Sequence, residues 1–194
     1  AQVTFIDAHC HLDDEQFSAD RDAVVARAQD AGVGALITAG ADLDSSRAAV
    51  ALAERYTIVY AVVGIHPHNA ATFDADARAA IRDLATSRKV VGIGEIGLDF
   101  HYADAAPRDL QARVFQAQLD LAAELGKPVV IHNRDADDAL MDVLSQHARR
   151  ARGILHCFSG DIAMARAAIA QGWLISLAGN VTFKNAPRVR AVAT

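Results

Sequence analysis

Short apolar runs bounded by Gly and Pro alternate along this chain with longer stretches of helical period. The apolar runs predict strands over residues 3–7, 35–39, 59–65, 90–95, 129–132, 153–156 and 173–177. Most contain β-branched residues and are apolar throughout, the pattern of parallel strands covered on both faces. Between them the period predicts helices over 20–31, 45–55, 74–87, 107–125, 136–147 and 162–171, with a last one after Asn185-Ala186-Pro187. The fourth is the clearest, with Leu110, Val114, Leu121 and Leu125 on one stripe, Pro107 in the first turn and Gly126 as the stop.

Strand followed by helix, repeated without an antiparallel excursion, leaves two architectures: an open doubly wound sheet or a (β/α)8 barrel. An open sheet places ligands at one topological switch point, whereas a barrel gathers residues from the ends of nearly all its strands. Potent side chains follow almost every predicted strand here: His9 and His11 the first, His66 and His68 the third, Glu95 and Asp99 the fourth, His132 and Arg134 the fifth, His156 the sixth. Only His147 of the 8 histidines falls on a helix. The fold expected is therefore α/β, a (β/α)8 TIM barrel. Its strands number one fewer than closure takes, and 194 residues is short of the usual ~250. We expect a single barrel domain over 1–194, C-terminally incomplete and lacking the eighth strand.

Composition narrows the partners. With 52% apolar and 22% charged residues the chain is globular, and a net charge of -5 excludes a broad electrostatic footprint for nucleic acid. A phosphate-bearing partner must then be held locally. Cys10 and Cys157 are too few for a disulfide framework and read as buried free thiols in a reducing cytoplasm. No signal peptide and no membrane-spanning run is evident, and the expectation is a cytoplasmic monomer.

On an extended backbone His9 and His11 share a face while Cys10 points away, so the two imidazoles can grip one ion. Together with Glu95, His132 and His156 they make an imidazole and carboxylate set suited to Zn, Mn, Ni or Fe better than Ca or Mg. The metal itself stays open among Zn, Mn, Mg and Ni. Five ligands exceed one open catalytic site, so two divalent ions bridged by the catalytic carboxylate of Glu95 are expected, and hydrolysis is the reaction class. Asp7 is either a lumen acid orienting a ligand through a hydrogen bond or a buried carboxylate satisfied by backbone. Asp99 reads as a loop residue that contacts substrate, orients a ligand or closes a turn. Arg134 and Lys184, in predicted loops, could hold a phosphate. Phe100 and Tyr102 could stack on a base or cover the rim, and Arg149, Arg150 and Arg152 fall at the opposite, solvated end. Gly92-Ile93-Gly94-Glu95-Ile96-Gly97 has dinucleotide-binding spacing but no helix opens within it, so it is set aside.

Six segments then carry a resemblance: Ile6-Asp7-Ala8-His9-Cys10-His11-Leu12-Asp13, Gly64-Ile65-His66-Pro67-His68, Gly94-Glu95-Ile96-Gly97-Leu98-Asp99, Pro128-Val129-Val130-Ile131-His132, His156-Cys157-Phe158-Ser159-Gly160 and Thr182-Phe183-Lys184-Asn185. In order and spacing they resemble the TatD family of metal-dependent deoxyribonucleases. The resemblance implies an amidohydrolase-like barrel acting as a nuclease, often a 3′ to 5′ exonuclease on DNA ends; some relatives deacylate D-aminoacyl-tRNA. It implies one ion on His9 and His11, a second on His132 and His156, Glu95 bridging, and His66 and His68 near the substrate phosphate. Family members continue into an eighth strand ending in Thr-Asp-Ala/Ser-Pro, whose aspartate completes the first metal site. This sequence ends at Ala193-Thr194 without that aspartate, so the His132, His156 and Glu95 site is expected to retain metal better than the His9 and His11 one. Two alternatives stand beside the nuclease. One is a hydrolase of an aminoacyl ester or cyclic amide, a group that commonly uses a bridging carbamylated lysine, whereas Lys89 precedes its strand. The other is an inactive fold member, because the terminal aspartate is absent.

Overall fold

The computed structural model describes residues 5–148 and 150–194. Strands β1 (Phe5–Cys10), β2 (Val33–Ala39), β3 (Val59–Val63), β4 (Val90–Asp99), β5 (Val129–Arg134), β6 (Gly153–Leu155) and β7 (Leu174–Ile175) form one sheet in sequence order. Every ladder is parallel. A doubly wound sheet reverses its strand order at a switch point, and this one never does. The expected α/β barrel-type wall is what the chain builds. Among the described residues β1 and β7 each pair on one side, so the wall is an arc of seven strands.

Helices α1 (Arg21–Asp30), α2 (Leu43–Arg55), α3 (Ala75–Leu84), α4 (Arg108–Leu125), α5 (Asp137–His147), α6 (Ile162–Ala170) and α7 (Pro187–Val192) supply the crossovers and the outer layer. Their starts follow capping chemistry. Asp42 and Ser45 form a reciprocal capping box, and Asp74 and Asp161 accept the N–H groups of Ala77 and Met164. Gly126, at φ 65, ends α4 in the left-handed conformation that the predicted stop called for. The core lies between sheet and helices: Ile93, Ile96 and Leu98 of β4 meet Phe115, Leu119 and Leu121 of α4, all fully buried. Each such side chain contributes roughly 1.5–3 kcal/mol relative to exposure.

Several boundaries differ from those expected. The fourth and fifth strands run four and two residues further than predicted, because Gly97, Leu98 and Asp99 pair with His132, Asn133 and Arg134. Gly and Asp are poor strand formers, so only the neighbouring strand reveals this extension. Asp99 and Arg134 are accordingly strand residues and not loop residues. Gly97 is also the residue over which β5 passes closely, since a Cβ there would lie 2.0 Å from the His132 carbonyl oxygen. The seventh strand shrinks to two residues, although Trp173 before it stays buried. Residues 3 and 4 of the first predicted strand lie outside the described residues.

Candidate metal centre

Glu95 projects from β4 and is almost completely buried. Its Oε2 lies 3.3 Å from His9 Nε2, near the C-terminal end of β1, and 3.6 Å from His11 Nε2, just past that strand. Its Oε1 lies 2.6 Å from His156 Nε2, just past β6, 2.8 Å from His132 Nδ1 on β5, and 3.7 Å from His66 Nε2, beyond β3. Five ring nitrogens from four strand ends thus converge on one carboxylate. His9 and His156 stack at 3.9 Å with 14° between their planes, and the Nε2 atoms of His9 and His11 are 3.2 Å apart.

Hydrogen bonding sorts these rings by the nitrogen that carries a proton. His11 Nδ1 lies 3.2 Å from the Ala39 carbonyl, which can only accept, so Nδ1 holds the proton and Nε2 turns a lone pair inward. His66 is the reverse: its Nδ1 accepts the His68 N–H at 3.2 Å, so the neutral ring carries its proton on Nε2, facing Glu95. Burial pushes the His66 imidazole down to about 3, with Glu95 opposing, and the ring is therefore neutral. It is a donor toward the cluster, not a lone-pair ligand. His132 lies between two carboxylates, with Nδ1 on Glu95 and Nε2 3.0 Å from Asp99 Oδ2. Burial alone would lower it, but Glu95 and Asp99 hold it above the usual imidazole range. For Glu95 itself burial opposes ionisation, and the hydrogen bonds of His132, His156 and His9 prevail, holding the carboxyl far below its ordinary range.

Outside this ring, Asp99 is buried at the end of β4 and ties His132 to His68, whose Nε2 lies 2.9 Å from the same Oδ2. Its Oδ1 accepts the His101 N–H. Arg134 stands exposed over the Tyr102 ring at 5.0 Å and donates to the Tyr102 hydroxyl. Tyr102 also stands edge-on to His68, whereas Phe100 lies under Arg108. Lys184 is exposed in the turn between β7 and α7, and no side-chain contact ties it to the cluster. Asp7 is exposed on β1, contrary to the expected buried carboxylate, and its Oδ1 accepts the His9 N–H at 3.2 Å. Cys10 is half-buried and donates to the Ile37 carbonyl, its thiol pushed up to about 12 by burial and then by Asp7 and Asp13. Cys157 is exposed, at φ 45, contrary to the expected buried thiol, because the chain turns sharply outward after His156. Arg150 pairs with Asp120 at the far end, and Arg149 lies outside the described residues.

Two residues escaped the reading of the sequence. Gln111 and Gln118 occupy the buried stripe of α4, in place of the half-buried Leu110 and Leu125. Each pairs with the backbone of one residue at the site. Their signal was a pair of amides seven apart within an apolar face.

The donor set fits a divalent metal. The ligand atoms of His9, Glu95 and His156 lie within 4.8 Å of one another, and the facing atoms of His66, Glu95 and His132 are as close, although His66 turns a proton and not a lone pair inward. Repeated imidazole and buried carboxylate donors at one mouth of a barrel wall define a metal-dependent hydrolase of the β/α-barrel class. The sequence model described as TatD related DNase matches residues 6–194, and the chain belongs to that family. It is 38% identical over 187 residues to the uncharacterized metal-dependent hydrolase YabD of Bacillus subtilis, covering 96% of this chain and 73% of that protein. To the 3'-5' ssDNA/RNA exonuclease TatD of Escherichia coli it is 40% identical over 174 residues, covering 89% of this chain and 66% of the relative. The crystal structure of the E. coli TatD homolog YjjV superposes with a TM-score of 0.89 at 34% identity, covering 97% of this chain and 73% of that one. The chain thus spans about two thirds to three quarters of these relatives. No helix among the described residues is long and apolar enough to cross a membrane.

Proposed function

We propose that this member of a metal-dependent hydrolase family cleaves phosphodiester bonds at nucleic acid ends, removing residues 3′ to 5′ from a single strand with two divalent ions. The observation that carries this reading is the division of donors over Glu95. Oε2 faces His9 and His11, and Oε1 faces His132 and His156, with the protonated Nε2 of His66 also 3.7 Å from Oε1, so lone-pair donors stand on both oxygens, as a bridging carboxylate requires. The grouping and stacking of His9 with His156 cross that division; the 2.6 Å approach of His156 to Oε1 supports assigning it with His132. Divalent ions held there would acidify a water molecule and neutralise charge on the phosphodiester.

The chain's own residues supply the rest. His66 offers its Nε2 proton toward the cluster, in the place expected for a phosphate contact. His68 takes its orientation from Asp99, Arg134 stands exposed over Tyr102 as a charge-assisted donor, and Lys184 is exposed in the turn before α7. A cleft of about 440 Å³ opens beside His68 and Tyr102. The 3′ to 5′ direction and the choice of single strands rest on the name of the E. coli relative. A reducing cytoplasm is part of the same proposal, supported by two free cysteines. The amide-hydrolase alternative is disfavoured by the placement of Lys89 and Lys127. Lys89 Nζ donates to the carbonyls of Tyr56, Thr57 and Val59, and Lys127 Nζ to that of Val90, both at the opposite end of the strands.

The test is single-stranded DNA labelled at its 5′ end, incubated with the protein and Mg, Mn or Zn. A ladder shortening from the 3′ end supports the proposal. Intact DNA with all three metals, beside turnover of an aminoacyl ester, overturns it; intact DNA with no turnover of either substrate favours the inactive reading.

A further inference from the structure

The last residues of β4 pass beyond β3, whose final partner on it is Ile93. From there to Asp99 the backbone groups facing the β3 side need partners from elsewhere. At Asp99 the partner is a side chain. Gln111 Oε1 accepts the Asp99 N–H at 2.9 Å, while its Nε2 donates to the Asp99 carbonyl at 2.9 Å and to the Ala106 carbonyl at 2.8 Å. About two turns further along α4, Gln118 repeats the device: Oε1 accepts the Ile65 N–H at 2.8 Å and Nε2 donates to the Ile65 carbonyl at 2.9 Å. Both amides are fully buried and every polar atom in them is used. A primary amide presents a donor and an acceptor side by side, as a neighbouring strand does, so each glutamine stands in for a missing strand segment.

The two clamped residues bear directly on the site. Ile65 immediately precedes His66. Asp99 carries the carboxylate that holds His132 at 3.0 Å and His68 at 2.9 Å. We infer that Gln111 and Gln118 are positioning residues of the metal centre: Gln111 fixes the Asp99 backbone and through it the rings of His132 and His68, and Gln118 fixes the turn that presents His66. Helix α4 is thereby a template for the site, although among the described residues none of its side chains hydrogen-bonds or ion-pairs with Glu95. The inference rests on the proposed metal centre only for its catalytic consequence. Its first test and the hydrogen-exchange reading use the metal-free protein.

The first test is a pair of variants, Gln111→Met and Gln118→Met. Each removes one buried amide of similar shape, so a merely structural role predicts similar losses of thermal stability and no difference at the histidines. Positioning predicts a split in the 1H–15N imidazole spectrum. Gln111→Met should move the His132 and His68 resonances and leave His9 and His11 in place, and Gln118→Met should move His66 alone. The second reading is the metal dissociation constant, expected to rise about 10–100-fold in Gln111→Met, the usual range when a ligand's supporting partner is lost. Folded variants with unchanged ring resonances overturn the inference. Should Gln111→Met fail to fold, Gln111→Glu keeps the acceptor for the Asp99 N–H and loses both donors, and the same two outcomes decide. In the unaltered protein, hydrogen exchange must show the Ile65 and Asp99 amides protected; exchange at the rate of an exposed loop would also overturn it. Failure to cleave DNA with these signatures intact would instead count against the nuclease reading.

Discussion

The two sides of Glu95 are built differently. On the Oε1 side, His132 comes from β5, a strand flanked on both sides, and its second nitrogen is held by Asp99, itself clamped from α4. On the Oε2 side, His9 and His11 come from β1, which pairs with β2 alone among the described residues and whose register slips twice. His11 is 44% exposed, against 19% for the His132 side chain, and the buried Nδ1 of His9 has no hydrogen-bond partner among the described residues. Chemically similar rings thus meet one carboxylate with unequal support. An imidazole is as well placed as the strand beneath it, and a strand held from two sides holds its side chains more tightly than an edge.

The largest effect should be on stability, between centre and edge. Leu98→Ala on β4, where the side chain is fully buried, should lower the unfolding free energy by about 2–5 kcal/mol. Ile6→Ala on β1, at 64% exposure, should stay within about 0.5 kcal/mol. Equal losses in urea titrations would mean that the edge is packed as firmly as the centre. Next, Glu95→Gln removes the charge common to both sides, and DNA turnover should fall by about 10²–10³-fold, on the scale of losing one electrostatic stabiliser. Unchanged turnover would remove Glu95 from its role.

With two ions bound as proposed, chelator titration of the loaded protein should release the one near His9 and His11 first, as the less supported. Asp99→Asn should then weaken retention on the other side by about 10–100-fold, erasing the difference; metal content by mass spectrometry reads both. The smallest effect lies away from either side, at the Asp42 cap of α2. Burial would raise that carboxyl, but Ser45 holds it below its ordinary value of 3.8. Its contribution is complete above that value and is lost as the pH falls through the lower folded value. Asp42→Ala should cost about 0.5–2 kcal/mol near neutrality, and the gap from the unaltered protein should close in strong acid.

Much of this molecule is visible in one dimension. Unbroken β-branched runs spaced by helical periods report a parallel sheet, since both signals are local and repeat seven times. The recurrence of histidines at strand ends reports one shared mouth, because a barrel wall brings those ends together whatever lies between them. Gln111 and Gln118 were not legible, since an amide on an apolar stripe looks like a flaw until the unpaired backbone it serves is in view. The reach of β4 to Asp99 was hidden for the same reason: its last residues are held by β5 and α4, not by their own propensity.

By itself, then, the sequence determined the class of fold, the kind of donors and the end of the sheet at which they gather. Only the tertiary structure decided which oxygen of Glu95 each imidazole faces, which ring nitrogen carries the proton, and which side of the centre is braced. Periodicity is a property of neighbours along the chain, whereas tautomers and supports are settled by hydrogen-bond partners tens of residues away, such as Ala39 for His11 and Asp99 for His132.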